Sequence, residues 1–133
     1  MLKAVVLFGL TLIAVQGARP VALPATPQGR HVQAYIDAFN TGDEKTYLAM
    51  METHVDPALL KKRTVEERAK LFGRMRGDFG VLKVSTVLKA TADEIKVAIP
   101  DKEGTLATFS FSFESAAPHR IAGIGIEIDK GER

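Results

Sequence analysis

The spacing of apolar residues changes once along this chain, near Gly77 and Gly80, and this change limits the fold more than any other feature. From Arg30 to Arg76 apolar residues recur every three or four positions, which is typical of amphipathic helices. From Val81 onwards they alternate with polar residues, which is typical of half-buried strands. Helices followed by strands predict an α+β domain, because a parallel α/β sheet needs helices and strands in alternation.

Capping signals divide the first half of the chain into four helical segments. Gly42 is placed to end one helix, and Asp43 beside it can cap the free amides of the next. Thr64 and Glu67 have the spacing of a capping box, in which each side chain bonds the other residue's backbone amide. The predicted helical segments are 30–40, 43–54, 57–62 and 65–76.

Alternation in the second half predicts four strands, and short turns between consecutive strands predict an antiparallel meander. Phe109, Phe111 and Phe113 share one face of the third strand, which is therefore the buried face. In the first strand the alternation places Leu82 and Leu88 on the same face. The predicted strands are 81–89, 94–99, 105–113 and 119–128.

The apolar faces of the helices and strands predict a common architecture. Helices that each carry one apolar stripe can pack on the concave side of a curved four-stranded antiparallel sheet, and such folds often keep a pocket. In the last strand Ile121 is out of step with Ile124, Ile126 and Ile128, which predicts a β-bulge at Gly123.

The N-terminus is typical of a secretory signal peptide covering residues 1–17. Lys3 supplies a positive start, an apolar run of about twelve residues follows, and Val15 and Gly17 are small residues at the expected cleavage site. The run is shorter than the roughly 20 apolar residues of a membrane-spanning helix. We therefore expect a secreted or periplasmic protein, cleaved near Gly17, with no stable membrane span after cleavage.

The prolines after the signal predict a linker over residues 18–29. Pro20, Pro24 and Pro27 are expected to interrupt any helix through Gly29. The folded domain is then predicted at 30–128, followed by a short tail at 129–133.

Composition excludes several classes of function. The 133 residues include 18 Lys or Arg and 16 Asp or Glu, a net charge of +2, which argues against nucleic acid as the main partner. The absence of Cys excludes disulfides, thiolate metal sites and a cysteine nucleophile. The three His residues lack metal-binding spacing, so no metal and no cofactor is predicted.

Two arginines are the main candidates for binding a ligand. Arg68 and Arg76 fall within the apolar stripe of the predicted helix 65–76, about 12 Å apart along its axis. Their stems can lie on apolar surface while their heads reach a carboxylate such as Glu114 or Glu127. Alternatively, they line the mouth of the pocket and hold an anionic group, since a guanidinium matches a carboxylate or phosphate. Tyr35 is a further candidate for ligand binding.

No residue is predicted to be catalytic, although two could serve as a general base in an enzyme. His54 lies on the flank of the apolar stripe of the predicted helix 43–54, and Asp78 is the better placed acid. His54 is also a candidate for ligand binding. An isomerase, dehydratase or cyclase would use one of these as base, with Tyr35 or an arginine polarising the substrate.

The stretch Tyr35 to Asp43 (YIDAFNTGD) resembles the opening signature of the nuclear transport factor 2-like superfamily, also called SnoaL-like or cystatin-like. The resemblance covers about residues 30–128 and implies a cone-shaped α+β fold. Arg68, the stretch Arg74 to Gly80 and the stretch Pro118 to Gly125 are similar to a domain found before exported serine hydrolases of the β-lactamase-like or tail-specific protease type. The hydrolase activity is not carried over, since this sequence ends at Arg133.

Three functions are consistent with these features. The first is an exported, non-catalytic domain that binds a small amphipathic or anionic ligand in its cone or acts as an accessory module. The second is the enzyme described above. The third is a partner-binding module, associated with an exported hydrolase or forming a homodimer through the sheet face that carries Thr108, Ser110 and Ser112.

Overall fold

A computed structural model describes residues 21–128. The predicted signal peptide and tail lie outside the described residues, as does the start of the predicted linker. Four helices precede a four-stranded antiparallel sheet, so the α+β prediction is confirmed. The elements are α1 (Pro27–Asn40), α2 (Glu44–His54), α3 (Pro57–Leu60), α4 (Val65–Phe79), β1 (Thr86–Ala90), β2 (Glu94–Pro100), β3 (Leu106–Phe113) and β4 (Ile121–Ile128). Within 21–128, none of these helices has the length and apolar character to cross a membrane.

Helix α1 begins earlier than predicted. Thr26 is its N-cap and accepts a hydrogen bond from the Gly29 amide at 3.1 Å. Pro27 occupies the first turn, where its missing N–H would have had no helical partner. The prediction that Pro27 interrupts a helix through Gly29 was therefore wrong, because proline disrupts the interior of a helix and not its start.

The other helix boundaries follow their capping residues. Asp43 caps α2 through the Thr46 amide, and the capping box of Thr64 and Glu67 opens α4 as predicted. Helix α4 continues to Phe79, one turn further than predicted, and ends at Gly80, whose φ of 73° favours glycine.

The strands follow one another in the order β1-β2-β3-β4, and the helices cover one face of the sheet. Val97, Phe109 and Ile126 are cross-strand neighbours on that inner face. A register shift between Ser112 and Phe113, opposite Gly123, confirms the predicted bulge region in β4. Serines and threonines of β3 face outwards, and a homodimer through this face stays a prediction.

The start of the sheet differs from the prediction. Residues 81–85 are not a regular strand, because the side chain of Asn40 bonds both backbone groups of Leu82 there. A second register shift, between Val87 and Lys89, leaves Leu88 without a cross-strand partner. Leu88 is consequently exposed while Leu82 is buried, so the prediction that they share a face was wrong.

The end of α2 is joined directly to the last strand. Val55 forms a parallel bridge with Ile121, and the Asp56 amide donates to the Ile121 carbonyl at 2.8 Å. Both Val55 and Ile121 are fully buried. This link sets the distance between the helices and β4, and a cavity lies beside it.

Candidate binding cavity

An open cavity of about 550 Å³ lies between helices α2, α3 and α4 and the inner face of β4. Phe109 and Phe111 on β3 are fully buried, whereas their β4 partners Ile126 and Ile124 are more accessible because the helices do not cover them completely. The apolar wall consists mainly of Met51, Leu59, Leu60, Leu71, Ile124 and Ile126. The cavity is therefore the part of the inner face that the helices leave open.

Arg68 brings a buried positive charge to this cavity. Arg68 lies on α4 and is only 8% exposed, and most of the side chains that line the cavity with it are apolar. Its Nη1 donates to Glu52 Oε2 at the long distance of 3.5 Å, and the Glu52 side chain is 63% exposed. The Arg68 Nε is buried and has no hydrogen-bond partner among the described residues. The charge is thus poorly compensated by the protein itself.

Two tyrosines form a hydrogen-bonded pair on the cavity wall. The Tyr47 hydroxyl donates to the Tyr35 hydroxyl at 3.3 Å. Burial raises the pKa of Tyr35 well above its usual value, and the neighbouring Tyr47 adds to this effect. Burial also raises the pKa of Tyr47, although Tyr35 and the Arg68 charge oppose the increase. Both phenols therefore stay protonated at neutral pH and can act as hydrogen-bond donors.

Arg76 does not line this cavity, so the structure does not bring the two arginines together at one pocket. Its Nη1 donates to the Phe39 carbonyl at 3.3 Å, and its guanidinium carbon lies 5.6 Å from the centre of the Phe39 ring. A Cβ on Gly42 would come within 2.8 Å of Arg76 Nη2. Arg76 therefore holds the C-terminal end of α1 and the turn after it.

The two carboxylates suggested as partners, Glu114 and Glu127, are not the ones that pair with Arg68 or Arg76 among the described residues. Glu114 pairs with Arg120, at 3.1 Å between Oε2 and Nη2, and also accepts the Arg120 backbone amide. Glu127 is exposed on β4. Glu52, which the sequence did not indicate, is the carboxylate that contacts Arg68.

His54 and Asp78 lie outside the cavity. His54 pairs with His31, and His31 in turn reaches the Pro118 carbonyl from its Nε2 at 2.8 Å. Asp78 is exposed near the end of α4, where its carbonyl accepts the Lys102 amide. Neither residue is positioned to exchange a proton with a molecule in the cavity.

Sequence reasoning missed Tyr47 and the histidine pair as features of interest. Tyr47 is a buried residue of α2, and the direction of its hydroxyl depends on how α1 and α2 pack. His31 lies inside α1 and is half-buried, and its contact with His54 depends on how α1 and α2 pack. Within residues 21–128 there is no group of three or more side chains that could hold a metal ion.

Comparisons with known proteins identify the fold and nothing finer. The sequence matches no protein-family model and no curated protein sequence. The structure is similar to a crystal structure of a SnoaL-like protein of unknown function from Burkholderia thailandensis, with a TM-score of 0.52 and 18% sequence identity. The match covers 79% of this chain and 98% of the other. It shows a SnoaL-like fold and does not support the finer resemblance to domains that precede serine hydrolases.

Proposed function

Taking the SnoaL-like fold as the premise, we propose that this chain is an exported domain that binds a small amphipathic molecule without transforming it. The observation that carries the proposal is the cavity of about 550 Å³ between the helices and β4. Binding sites for small molecules are typically concave, of roughly 300–1,000 Å³, and mostly apolar with a few convergent polar groups. The cavity described above has this composition.

The polar groups are arranged for an amphipathic molecule. Arg68, Tyr35 and Tyr47 offer charged and neutral donors at one part of the cavity, and the leucine and isoleucine side chains offer an apolar surface beside them. A ligand with a polar head and an apolar body would satisfy both parts, and its apolar body would remove the apolar wall from water.

A binding role is favoured over the isomerase, dehydratase or cyclase alternative by the placement of the candidate bases. His54 and Asp78 both lie outside the cavity. Among the described residues that line it, the titratable side chains are two tyrosines with raised pKa values and the cations Lys62, Arg63 and Arg68. General-base catalysis works best with a group whose pKa lies near the operating pH.

A neutral amphipathic dye tests whether the cavity binds ligands at all. Ile126 lies on the cavity wall and is 38% exposed, so Ile126→Trp should obstruct part of the cavity while leaving the core unchanged. Ile128→Trp is the matched control, because Ile128 is 43% exposed on the same strand and does not line this cavity. In Nile red fluorescence titrations we expect the affinity for the dye to fall about tenfold in Ile126→Trp alone, equivalent to about 1.4 kcal/mol of binding free energy. Equal binding by both variants would contradict the proposal.

Export rests on the signal-like segment at residues 1–17 and has a separate test. Intact-mass spectrometry of the protein recovered outside the cytoplasm should give Ala18 as the first residue. Recovery in the cytoplasm with residues 1–17 still attached would contradict export and leave the binding proposal unaffected.

A further inference from the structure

We infer that the ligand is a monoanionic carboxylate amphiphile whose head binds Arg68 and whose hydrocarbon part lies along the apolar wall formed with β4. This inference rests on the proposed function and names the chemical class of the ligand.

The state of Arg68 is the first argument for an anion. A buried guanidinium is costly unless hydrogen bonds and an opposite charge compensate it. Arg68 has one long hydrogen bond to Glu52, and the carboxylate of Glu52 is itself largely in solvent. The Nε atom, enclosed and unpartnered, is a donor for which residues 21–128 provide no acceptor. A ligand anion beside the accessible part of the guanidinium would supply the charge that the protein does not.

The charges at the cavity favour the same class of ligand. Lys62 and Arg63 line the cavity near the N-terminal end of α4, and Arg68 lines it further along the helix. No Asp or Glu lines it among the described residues. Three positive charges in a partly enclosed apolar space attract an anion and repel a cation.

The donor geometry favours a carboxylate head with a single charge. A guanidinium offers parallel N–H groups that match the two oxygens of a carboxylate. One buried guanidinium compensates one negative charge, and Lys62 and Arg63 are exposed to water. The hydroxyl groups of Tyr35 and Tyr47 bond to each other on the same cavity wall, and the pair can add a neutral hydrogen bond.

Three eight-carbon probes with different heads test the inference on the unmodified protein. Octanoate, octanol and octylamine each have eight carbons and differ in charge; the apolar chain of octanoate is one carbon shorter because its eighth carbon forms the head, which works against the expected preference. Isothermal titration calorimetry should show octanoate binding at least about tenfold more tightly than octanol, because charge-assisted hydrogen bonds are the stronger ones. Octylamine should bind more weakly than octanol.

Arginine variants then assign the preference to one side chain. Arg68→Met should reduce the affinity for octanoate to that for octanol, whereas Arg68→Lys, which keeps the charge without the planar fork, should retain part of the preference. Arg76→Met is the matched control on the same helix and should leave the preference unchanged, since Arg76 contacts Phe39 and not the cavity. The wild-type measurements decide the question even if a variant fails to fold.

The outcomes separate the two proposals. Equal affinities for octanoate and octanol, or a preference that survives Arg68→Met, would overturn the inference. If that common affinity still falls in Ile126→Trp, the cavity binds ligands and only the carboxylate assignment fails. If none of the three probes binds and Nile red does not bind either, the proposed function fails together with the inference.

Discussion

The Nδ1 atoms of His31 and His54 lie 3.0 Å apart, which is a hydrogen-bond distance between two imidazole rings. Such a bond needs one proton between the two nitrogens, so the pair accommodates at most one positive charge. The other nitrogen of His31 faces the Pro118 carbonyl and must carry a proton to donate to it. The pair therefore links α1, the end of α2 and the turn before β4 in a way that depends on protonation.

Acidification below neutral pH should weaken the fold through His54. Burial lowers the pKa of His54, and the positive charge that His31 can carry lowers it further. The unfolded state, with the ordinary histidine pKa of about 6.5, then binds more protons than the folded state as the pH falls, so the stability decreases. The contribution of neutral His54 to the free energy of unfolding is complete above its pKa in the unfolded state. It is lost as the pH falls through its lower pKa in the folded state. Urea unfolding at pH 7.5 and 5.5 measures the decrease.

The same experiment on His54→Gln checks the assignment. Glutamine does not titrate, so the difference in unfolding free energy between the two pH values should become smaller than in the wild type. An unchanged difference would show that other groups cause the dependence.

Replacing the two arginines of α4 should have different effects on stability. Arg68→Met removes an under-compensated buried charge and replaces it with a side chain of similar length, so we expect the free energy of unfolding to be unchanged or to rise by up to about 2 kcal/mol. Arg76→Met removes a hydrogen bond to the Phe39 carbonyl and a contact with the Phe39 ring, which should cost about 1–2 kcal/mol. Thermal and urea unfolding of both variants test this contrast; a larger loss in Arg68→Met would mean that Arg68 is mainly structural.

Asn40 should be important for the segment before β1. Its Nδ2 donates to the Leu82 carbonyl at 2.9 Å, and its Oδ1 accepts the Leu82 amide at 2.7 Å. Asn40→Ala leaves two backbone groups of a buried residue without partners and should cost about 2–3 kcal/mol. Asn40→Asp keeps the acceptor and loses the donor, so it should fall between the wild type and Asn40→Ala in chemical unfolding. Equal losses in both variants would argue against a role for the acceptor.

Gly29 should tolerate no larger side chain. A Cβ at this position would overlap the carbonyl oxygen of Pro24, which is backbone and cannot rotate away. Gly29→Ala should therefore shift the segment before α1 and lower the melting temperature, even though alanine has the higher helix propensity. Gly73→Ala is a suitable comparison, because a Cβ there meets nothing within 4 Å and should raise the melting temperature slightly. A Gly29→Ala variant as stable as the wild type would contradict the close contact.

Much of the fold could be predicted from the sequence because the signals were local. The capping box at Thr64 and the aromatic alternation from Phe109 to Phe113 depend only on neighbouring residues. The error at Leu88 arose because the outcome depends on a distant partner, a register shift against β2. The error at Pro27 has a local cause, since Thr26 beside it caps the helix and Pro27 occupies the first turn.

The candidate cavity could be predicted only in part. Helical spacing placed Arg68 on the apolar side of α4, and the structure places it at the cavity. The same spacing could not show that Arg76, two turns later, reaches the turn at Gly42, because that depends on where the end of α1 lies. Tyr47 and Glu52 contribute through a packing of α2 against α1 and α4 that no local pattern specifies.

The bridge between Val55 and Ile121 has a consequence for synthesis of the protein. Its two halves are 66 residues apart in the sequence, and the cavity wall includes Ile124 and Ile126 beyond it. During translation the helices leave the ribosome first, and the residues that close the end of α2 and complete the wall emerge only with β4. The cavity therefore cannot form before β4 is available, and a nascent chain that stops before β4 lacks it.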